Sequence, residues 1–367
     1  MSKAAHRLAL AAIILAVALV APTPVSSSRK SFGEVIAQLN AGKTFVVSPT
    51  SLNVVLHIAR DASRGRTAAE VEPLLFDDAM QARNATQDSG VRLLSSSGVW
   101  ISNRFPGSQK FDALFSHKYG GTVSHVSFES GEGERAIETW ISRLSGGDLR
   151  GYPIDPLTLF VIANIQVFHG NWALPFDSKN TRPDTFHGRH GDETAQMMWG
   201  HDVSSYRAGE YGELAALDYA GPYRLLLFLP KNSTDPPLQT FLKQGFGATF
   251  QPWKTSIVLP RLHLNTPELL TRALGDLGME AAFRGNADFS PMLGAVEHGR
   301  GIMFQDVDLK IDEHGTVAKA VTELPVKLQA IPERPIRFDR PFAFAIVRAG
   351  ATPTILFEGQ ILDLTDS

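Results

Sequence analysis

The chain has 367 residues, 43% of them hydrophobic, with no cysteine and a formal net charge of -3 from 35 Lys and Arg against 38 Asp and Glu. That balance excludes a global attraction to nucleic acid or to an anionic membrane, and the lack of cysteine excludes thiol chemistry. The length would allow two domains, but no Gly/Ser-rich linker, charge block or internal repeat divides the chain, so one large domain is expected.

At the N-terminus Lys3 and Arg7 precede an uninterrupted apolar run of 14 residues from Leu8 to Ala21, followed by Pro22, Pro24 and Ser26 to Ser28. This is the order of a secretory signal peptide over 1–27, cut after Ser27, and it leaves an extracellular domain of residues 28–367. The run is short of the roughly 20 residues that span a bilayer, so no membrane anchor is expected. A domain of this size buries enough core to do without disulfides outside the cell.

Helices are predicted near 30–41 and 49–61, the second started by Ser48 as N-cap with Pro49 in the first helical position. A mixed stretch to about 130, a helix near 132–145 and then mostly strands to 232 follow. Trp140, Ile141 and Leu144 form the apolar stripe of the 132–145 helix. Strands near 255–264, a helix near 267–277 and two C-terminal strands complete a mixed α+β chain.

The segment before those last strands is unusual. Thr316, Ala318, Ala320 and Thr322 fall on one face of an extended chain, a uniformly small face, while Val317, Lys319, Val321 and Glu323 fall on the other. A narrow apolar slot would accept this strand with its charges left in water. Beyond it, Pro325, Pro332 and Pro335 among Lys327, Gln329, Glu333 and Arg334 make an exposed irregular loop.

Glu313-His314-Gly315-Thr316, the small residues after it, the exposed loop and then Phe338-Asp339-Arg340-Pro341-Phe342 resemble the hinge, reactive loop and following strand of serpins. Ser48-Pro49-Thr50-Ser51-Leu52, closed by Arg64-Gly65-Arg66-Thr67-Ala68, is similar to the second helix and following turn of that family. The most specific block is Leu159 to Phe176, whose Gly170-Asn171-Trp172-Ala173-Leu174-Pro175-Phe176 resembles the turn after the serpin central strand. Met197-Met198, Leu259-Pro260-Arg261, Leu277-Gly278-Met279 and Leu356-Phe357-Glu358-Gly359 follow in family order.

The resemblance implies a single α+β domain with three β-sheets, about eight or nine helices and an exposed reactive loop over about 313–337. It implies a secreted suicide inhibitor of serine, or sometimes cysteine, proteases that is not itself an enzyme. The alternative it leaves open is a non-inhibitory carrier, chaperone or storage serpin. The hinge is then Glu313, Gly315, Thr316, Ala318 and Ala320. The reactive bond implied is Gln329-Ala330 by family spacing from Gly315, with Ala330-Ile331, favoured by counting back from Phe338, as the runner-up; Lys327, Leu328 and Ile331 are the neighbouring specificity positions.

By the same resemblance Ser48, Ser51, Asn164 and Gln305 form a polar cluster where the main sheet opens, with Gln305 where the family usually has His. Trp172 marks the top of that sheet, and Arg261 is the basic partner of Glu313, a pair expected to be partly exposed and worth little. Three positions depart from the family pattern: Pro325 inside the inserting strand, Lys319 within the small run, and Leu364 in place of a C-terminal proline. Pro325 is the serious one, because it cannot donate a ladder hydrogen bond. The chain between Glu70 and Val99 is short for the family, so no glycosaminoglycan partner is expected.

No nucleophile elbow, His-Glu-x-x-His or phosphate loop is present. His187-x-x-His190 is the only close ligand-like pair and lacks a third ligand, so neither a metal nor another cofactor is expected. The expected partner of this monomer is a target protease, with no nucleic acid and no membrane.

Overall fold

A computed structural model describes residues 31–75, 86–88, 90–145, 153–202, 205–245, 256–283, 287–295, 301–316, 335–350 and 353–364. The expected signal segment 1–27 and the loop residues Ala318, Ala320, Pro325, Lys327, Leu328, Gln329, Ala330 and Ile331 lie outside the described residues.

The N-terminal part runs α1 (Phe32–Leu39), β1 (Phe45–Val47), α2 (Pro49–Ala62), α3 (Gly65–Val71), β2 (Thr86–Asp88), β3 (Val91–Ser102), α4 (Gln109–Tyr119), β4 (Thr122–Val126) and α5 (Glu132–Ser145). Strands then dominate: β5 (Phe160–Asn171), β6 (Arg182–His187), β7 (Asp192–Asp202), β8 (Ser205–Ala208), β9 (Gly212–Asp218) and β10 (Tyr223–Pro230). Next come α6 (Pro237–Gln244), β11 (Ser256–Pro260), β12 (Leu262–Leu269), α7 (Leu270–Asp276) and α8 (Ser290–Leu293). The chain closes with β13 (Gly301–Asp312), β14 (Gly315–Thr316), β15 (Ile336–Arg337), β16 (Phe342–Arg348) and β17 (Thr354–Ile361).

Local chemistry sets the helix starts. A reciprocal capping box between Ser31 and Glu34 opens α1, and the Ser48 hydroxyl accepts from the Ser51 N–H to open α2 with Pro49 behind it. The helix expected near 267–277 starts only at Leu270, because β12 runs on through Leu269. Pro267 sits in that strand, which is the edge of its sheet, the place where a strand proline is tolerated. The α6 helix was not anticipated from sequence; its N-cap is Pro236, which offers no side-chain cap.

Three sheets and eight α-helices make up the α+β fold among the described residues. A six-stranded sheet has the order β1-β17-β16-β10-β9-β8 and a four-stranded one β15-β11-β7-β6. The main sheet runs β12-β13-β14-β5-β3-β2, with β4 paired to β3 and β13 also paired to β5. Alternation along β5 and β13 divides the main sheet's faces. Val161, Ala163, Ile165 and Phe304 pack with Ile137 and Ile141 of α5 on the outer face, where Trp140 meets Trp100 edge-on at 5.0 Å. The inner face carries Phe168, Val307 and Leu309 into the core shared with the other sheets.

Candidate functional site

Strands β5 and β13 pair in parallel from Phe160–Val167 and Gly301–Asp308, so the main sheet is closed over most of its height. At the top the pairing is different. Gly315 and Thr316 of β14 lie between them, antiparallel to both, opposite Asn171 and Gly170 on one side and Asp312 and Ile311 on the other. Two residues of the expected hinge, Gly315 and Thr316, are therefore part of the sheet.

Gly315 is required there by space and by backbone: its φ is 147°, and a Cβ would lie 1.9 Å from the Gly170 carbonyl oxygen. Thr316 is fully buried, and its hydroxyl lies 2.7 Å from that of Tyr219. Burial pushes the Tyr219 phenol far up, so it stays a neutral donor and acceptor. Trp172 stacks on Tyr219 at 4.4 Å and donates from Nε1 to the Asp312 carbonyl at 2.9 Å. The Trp172 and Phe176 N–H groups donate to the carbonyls of His314 and Glu313. Trp172 thus packs beside β14 at the top of the main sheet.

Arg261 donates to Glu313 from Nη2 at 2.7 Å and from Nε at 2.9 and 3.1 Å, and Thr181 Oγ1 donates to the same carboxylate. The pair was expected to be partly exposed, and only Arg261 is: its side chain keeps 47% exposure and that of Glu313 only 5%. Burial works to raise the Glu313 pKa, yet the Arg261 and Thr181 donors outweigh it and hold the carboxyl below its ordinary value.

Below the hinge, the polar cluster forms between α2 and the sheet, with Ser48, Ser51, Asn164, Gln166 and Gln305 all fully buried. Its wiring differs from the expected set. Asn164 Nδ2 turns to β3, donating to Ser97 Oγ at 2.9 Å, the Ser96 carbonyl at 3.0 Å and Ser95 Oγ at 3.2 Å. Ser51 reaches only the Asn164 backbone carbonyl, at 3.5 Å. The residue that meets Ser48 and Thr50 is Gln166, whose Oε1 accepts from their hydroxyls at 2.6 and 2.9 Å. Gln166 was missed, although it lies two residues from Asn164 and so on the same face.

Gln305 Oε1 accepts from the Ser48 N–H at 3.0 Å, which brings it beside Ser48. Three atoms of these amides are buried without a hydrogen-bond partner: Asn164 Oδ1, Gln166 Nε2 and Gln305 Nε2.

The loop's far end is anchored on the four-stranded sheet. Ile336 and Arg337 pair in parallel with Ile257 and Val258, and Arg337 bonds Asp184 at 3.0 Å and Asp339 while lying 4.9 Å from the Trp199 ring centroid. His187 and His190 do not converge on one point; they face Asp192 and Asp363 separately. Among the described residues no group of three acidic or histidine side chains would hold a metal ion.

The model of the family described as serpin (serine protease inhibitor) matches residues 30–364. Plasminogen activator inhibitor 1 of Sus scrofa is 30% identical over 274 residues, 70% of this chain and 68% of that one. A serpin-like protein of Thermococcus kodakarensis is 26% identical over 87% of this chain and 80% of its own. Among solved structures, a highly specific serpin of the insect Tenebrio molitor superposes with a TM-score of 0.75 at 21% identity, over 91% of this chain and 98% of that one. Human thyroxine-binding globulin in complex with its hormone gives 0.77 at 20% identity, over 91% and 97%.

Proposed function

The chain belongs to the serpin family, and from that premise we propose that it is a secreted, monomeric suicide inhibitor of serine, or sometimes cysteine, proteases. The observation that carries this reading is the hinge: Gly315 and Thr316 already occupy the top of the slot between β5 and β13. The side of the loop that would follow them is small, with Ala318 and Ala320 next on the inward face.

The protease hydroxyl or thiol attacks the Gln329 carbonyl, and the Ala330 amine leaves with a proton, so the N-terminal part of the loop stays joined to the protease through an ester or thioester. Cleavage frees the loop's tether. Residues after Thr316 then enter the slot as a new strand antiparallel to both neighbours. The thirteen residues from Val317 to Gln329, at about 3.3 Å each, carry the acyl bond roughly 40 Å.

Each new ladder bond adds on the order of 1 kcal/mol net, and burying Leu324 and Val326 adds about 1.5 to 3 kcal/mol apiece. The total is comparable with the 5 to 15 kcal/mol of a whole domain, so the uncleaved form is a kinetic trap. Distorting the attached protease leaves its acyl bond unhydrolysed.

Pro325 favours a second reading, a non-inhibitory serpin whose loop is cut without trapping, because it brings no N–H to the ladder. A gel separates the two. Incubation with a panel of serine and cysteine proteases is expected to give an SDS-stable band at the summed mass. Complete loop cleavage by every protease with no such band would establish the second reading.

A further inference from the structure

The seam where β5 meets β13 carries a buried carboxylate that the insertion mechanism does not use. Asp306 stands opposite Ile165 of β5 across the seam and opposite Pro267 of β12 on its other side. Alternation along β13 puts its side chain on the outer face, since Val307 beside it points into the inner core. The residue is fully buried, and both its oxygens lack a hydrogen-bond partner.

The groups that face it offer no compensation. Along β13 the same face carries Asp308, also buried, and two steps further Lys310, which stands opposite His263. From β12 His263 comes within 3.0 Å of Asp308 and can balance that charge only while protonated, and Asn265, opposite Asp308, is uncharged. From β5 come Ala163, Ile165 and Val167, and α5 lays Ile137 and Ile141 on this face, none of them titratable. No ion pair to Asp306 forms among the described residues.

An ionised Asp306 is therefore an unpaired charge for as long as the seam stays closed. Parting β5 from β13 takes Ile165 away from it and admits water to both oxygens. Protonated, the group loses little by staying closed; ionised, it gains by opening. Burial, and then the like charge of Asp308, push its pKa up to about 7, while the Val307 N–H pulls the other way and least.

We propose that Asp306 is an acid-closed latch on the main sheet, which keeps β5 against β13 while it is protonated and lets them part when it is ionised. The use of such a latch rests on the insertion mechanism proposed above, to which it adds a condition for opening the slot. The closed seam keeps the proton and the parted seam releases it, so opening becomes easier as pH rises from about 4 to about 7 and levels off above that. The sheet is then held shut in acid surroundings and ready to open at neutral pH. Glu358, the other buried acid with a raised pKa, lies in the six-stranded sheet, away from this seam.

Amide exchange read by mass spectrometry measures the opening without any protease. Peptides covering 160–167 and 301–308 report the seam, and peptides covering 223–230 and 342–348 report the six-stranded sheet. Exchange is followed at pH 5, 6, 7 and 8, with the ordinary pH dependence of amide exchange divided out. In wild type the protection of the seam is expected to fall about tenfold or more between pH 5 and pH 7 and to stay level to pH 8. Asp306→Asn should remove that fall and leave the six-stranded sheet as it is in wild type. Asp308→Asn takes away the like charge and keeps the latch, so the fall should move to lower pH, a displacement that lost packing alone would not produce.

A seam profile identical in wild type and Asp306→Asn overturns the latch. So does a change of equal size in both sheets, which would make Asp306 a contributor to global stability only. Covalent complex formation with proteases is scored separately. A protein that forms no complex yet shows the pH-dependent seam keeps the latch and loses the inhibitory reading, whereas complex formation with a flat seam profile does the reverse.

Discussion

Arg261 holds Glu313 through two nitrogens, with Nη2 2.7 Å from Oε1, at the corner where β13 turns into the hinge. Replacing Arg261 by Met leaves a carboxylate at 5% exposure with only Thr181 as side-chain partner, a loss of about 2 to 3 kcal/mol once the exposure of Arg261 itself is discounted. The thermal midpoint at neutral pH should fall by several degrees. Glu313 is held below its ordinary pKa, so its stabilising effect is present above about pH 4.5 and is lost as pH falls through the lowered value. Wild type should therefore lose stability on acidification over that window, and Arg261→Met should lose less. Equal midpoints for the two proteins at pH 7 would contradict the assignment.

Tyr219→Phe keeps the stack on Trp172 and removes the hydroxyl that meets Thr316. A buried threonine hydroxyl without a partner costs about 1 to 3 kcal/mol, so the hinge should leave the sheet more often. Amide exchange at Thr316 is expected to speed up about tenfold or more. Pairing Tyr219→Phe with Thr316→Val, which removes both hydroxyls, should restore protection.

The hinge and cluster were unequally legible in sequence, for physical reasons. Ser48-Pro49 announces its helix through capping chemistry that is local, and the block from Leu159 to Phe176 is long enough to be specific. Tyr219 gave no signal, because its partner Thr316 is 97 residues away and an isolated Tyr after a strand reads as any core aromatic. The Arg261–Glu313 pair was expected but not the burial of Glu313, which depends on tertiary neighbours distant in sequence such as Thr181. Asn164 was expected in the cluster with Ser48 and Ser51, but the partners of its side-chain donors, the Ser95 and Ser97 hydroxyls and the Ser96 carbonyl of β3, are 67 to 69 residues away in sequence and gave no signal.

Thr316→Arg should convert the protein from inhibitor to substrate. The position is fully buried against Tyr219, and a guanidinium cannot enter without leaving its charge unpaired in the core. Insertion then stalls at its first step and deacylation overtakes it. Covalent complex formed by Thr316→Arg at wild-type stoichiometry would refute the claim.

Asp306 predicts a pH response of opposite sign to that of Glu313. It lies on the outer face of β13, opposite Ile165 and Pro267, with both carboxylate oxygens buried and without a hydrogen-bond partner. Burial first and then the neighbouring Asp308 push its pKa up to about 7, and Asp308 itself faces His263 at 3.0 Å. Glu358, buried in β17, is also pushed up to about 7. The folded state keeps these protons where the unfolded chain releases them, so stability falls as pH rises from about 4 to about 7 and then levels off. Asp306→Asn should flatten part of that slope and stabilise the protein above pH 7 by an amount on the order of 2 to 4 kcal/mol. Midpoints measured from pH 4.5 to 8.5 check both; an unchanged slope in Asp306→Asn would remove Asp306 as its source.

The reactive bond is expected at Gln329-Ala330, with Ala330-Ile331 as the runner-up. Family spacing places it about fourteen residues after Gly315, and the slot supplies a second constraint: continuing the register of Thr316, which lies opposite Gly170 and Ile311, an inserted Val326 would come level with Phe160 and Gly301, where β5 and β13 begin. A cut after Gln329 leaves Lys327, Leu328 and Gln329, roughly 10 Å of extended chain, to reach from the end of the slot into the protease's cleft. Cutting after Lys327 leaves one residue, about 3.3 Å, so the bulk of the protease would halt the strand before Val326 was buried. Incomplete insertion favours hydrolysis over trapping. Mass spectrometry of the C-terminal peptide released by denaturing the complex decides between them. A peptide beginning at Ala330 is expected, whereas one beginning at Leu328 would refute the assignment and make Lys327 the residue read by a trypsin-like protease.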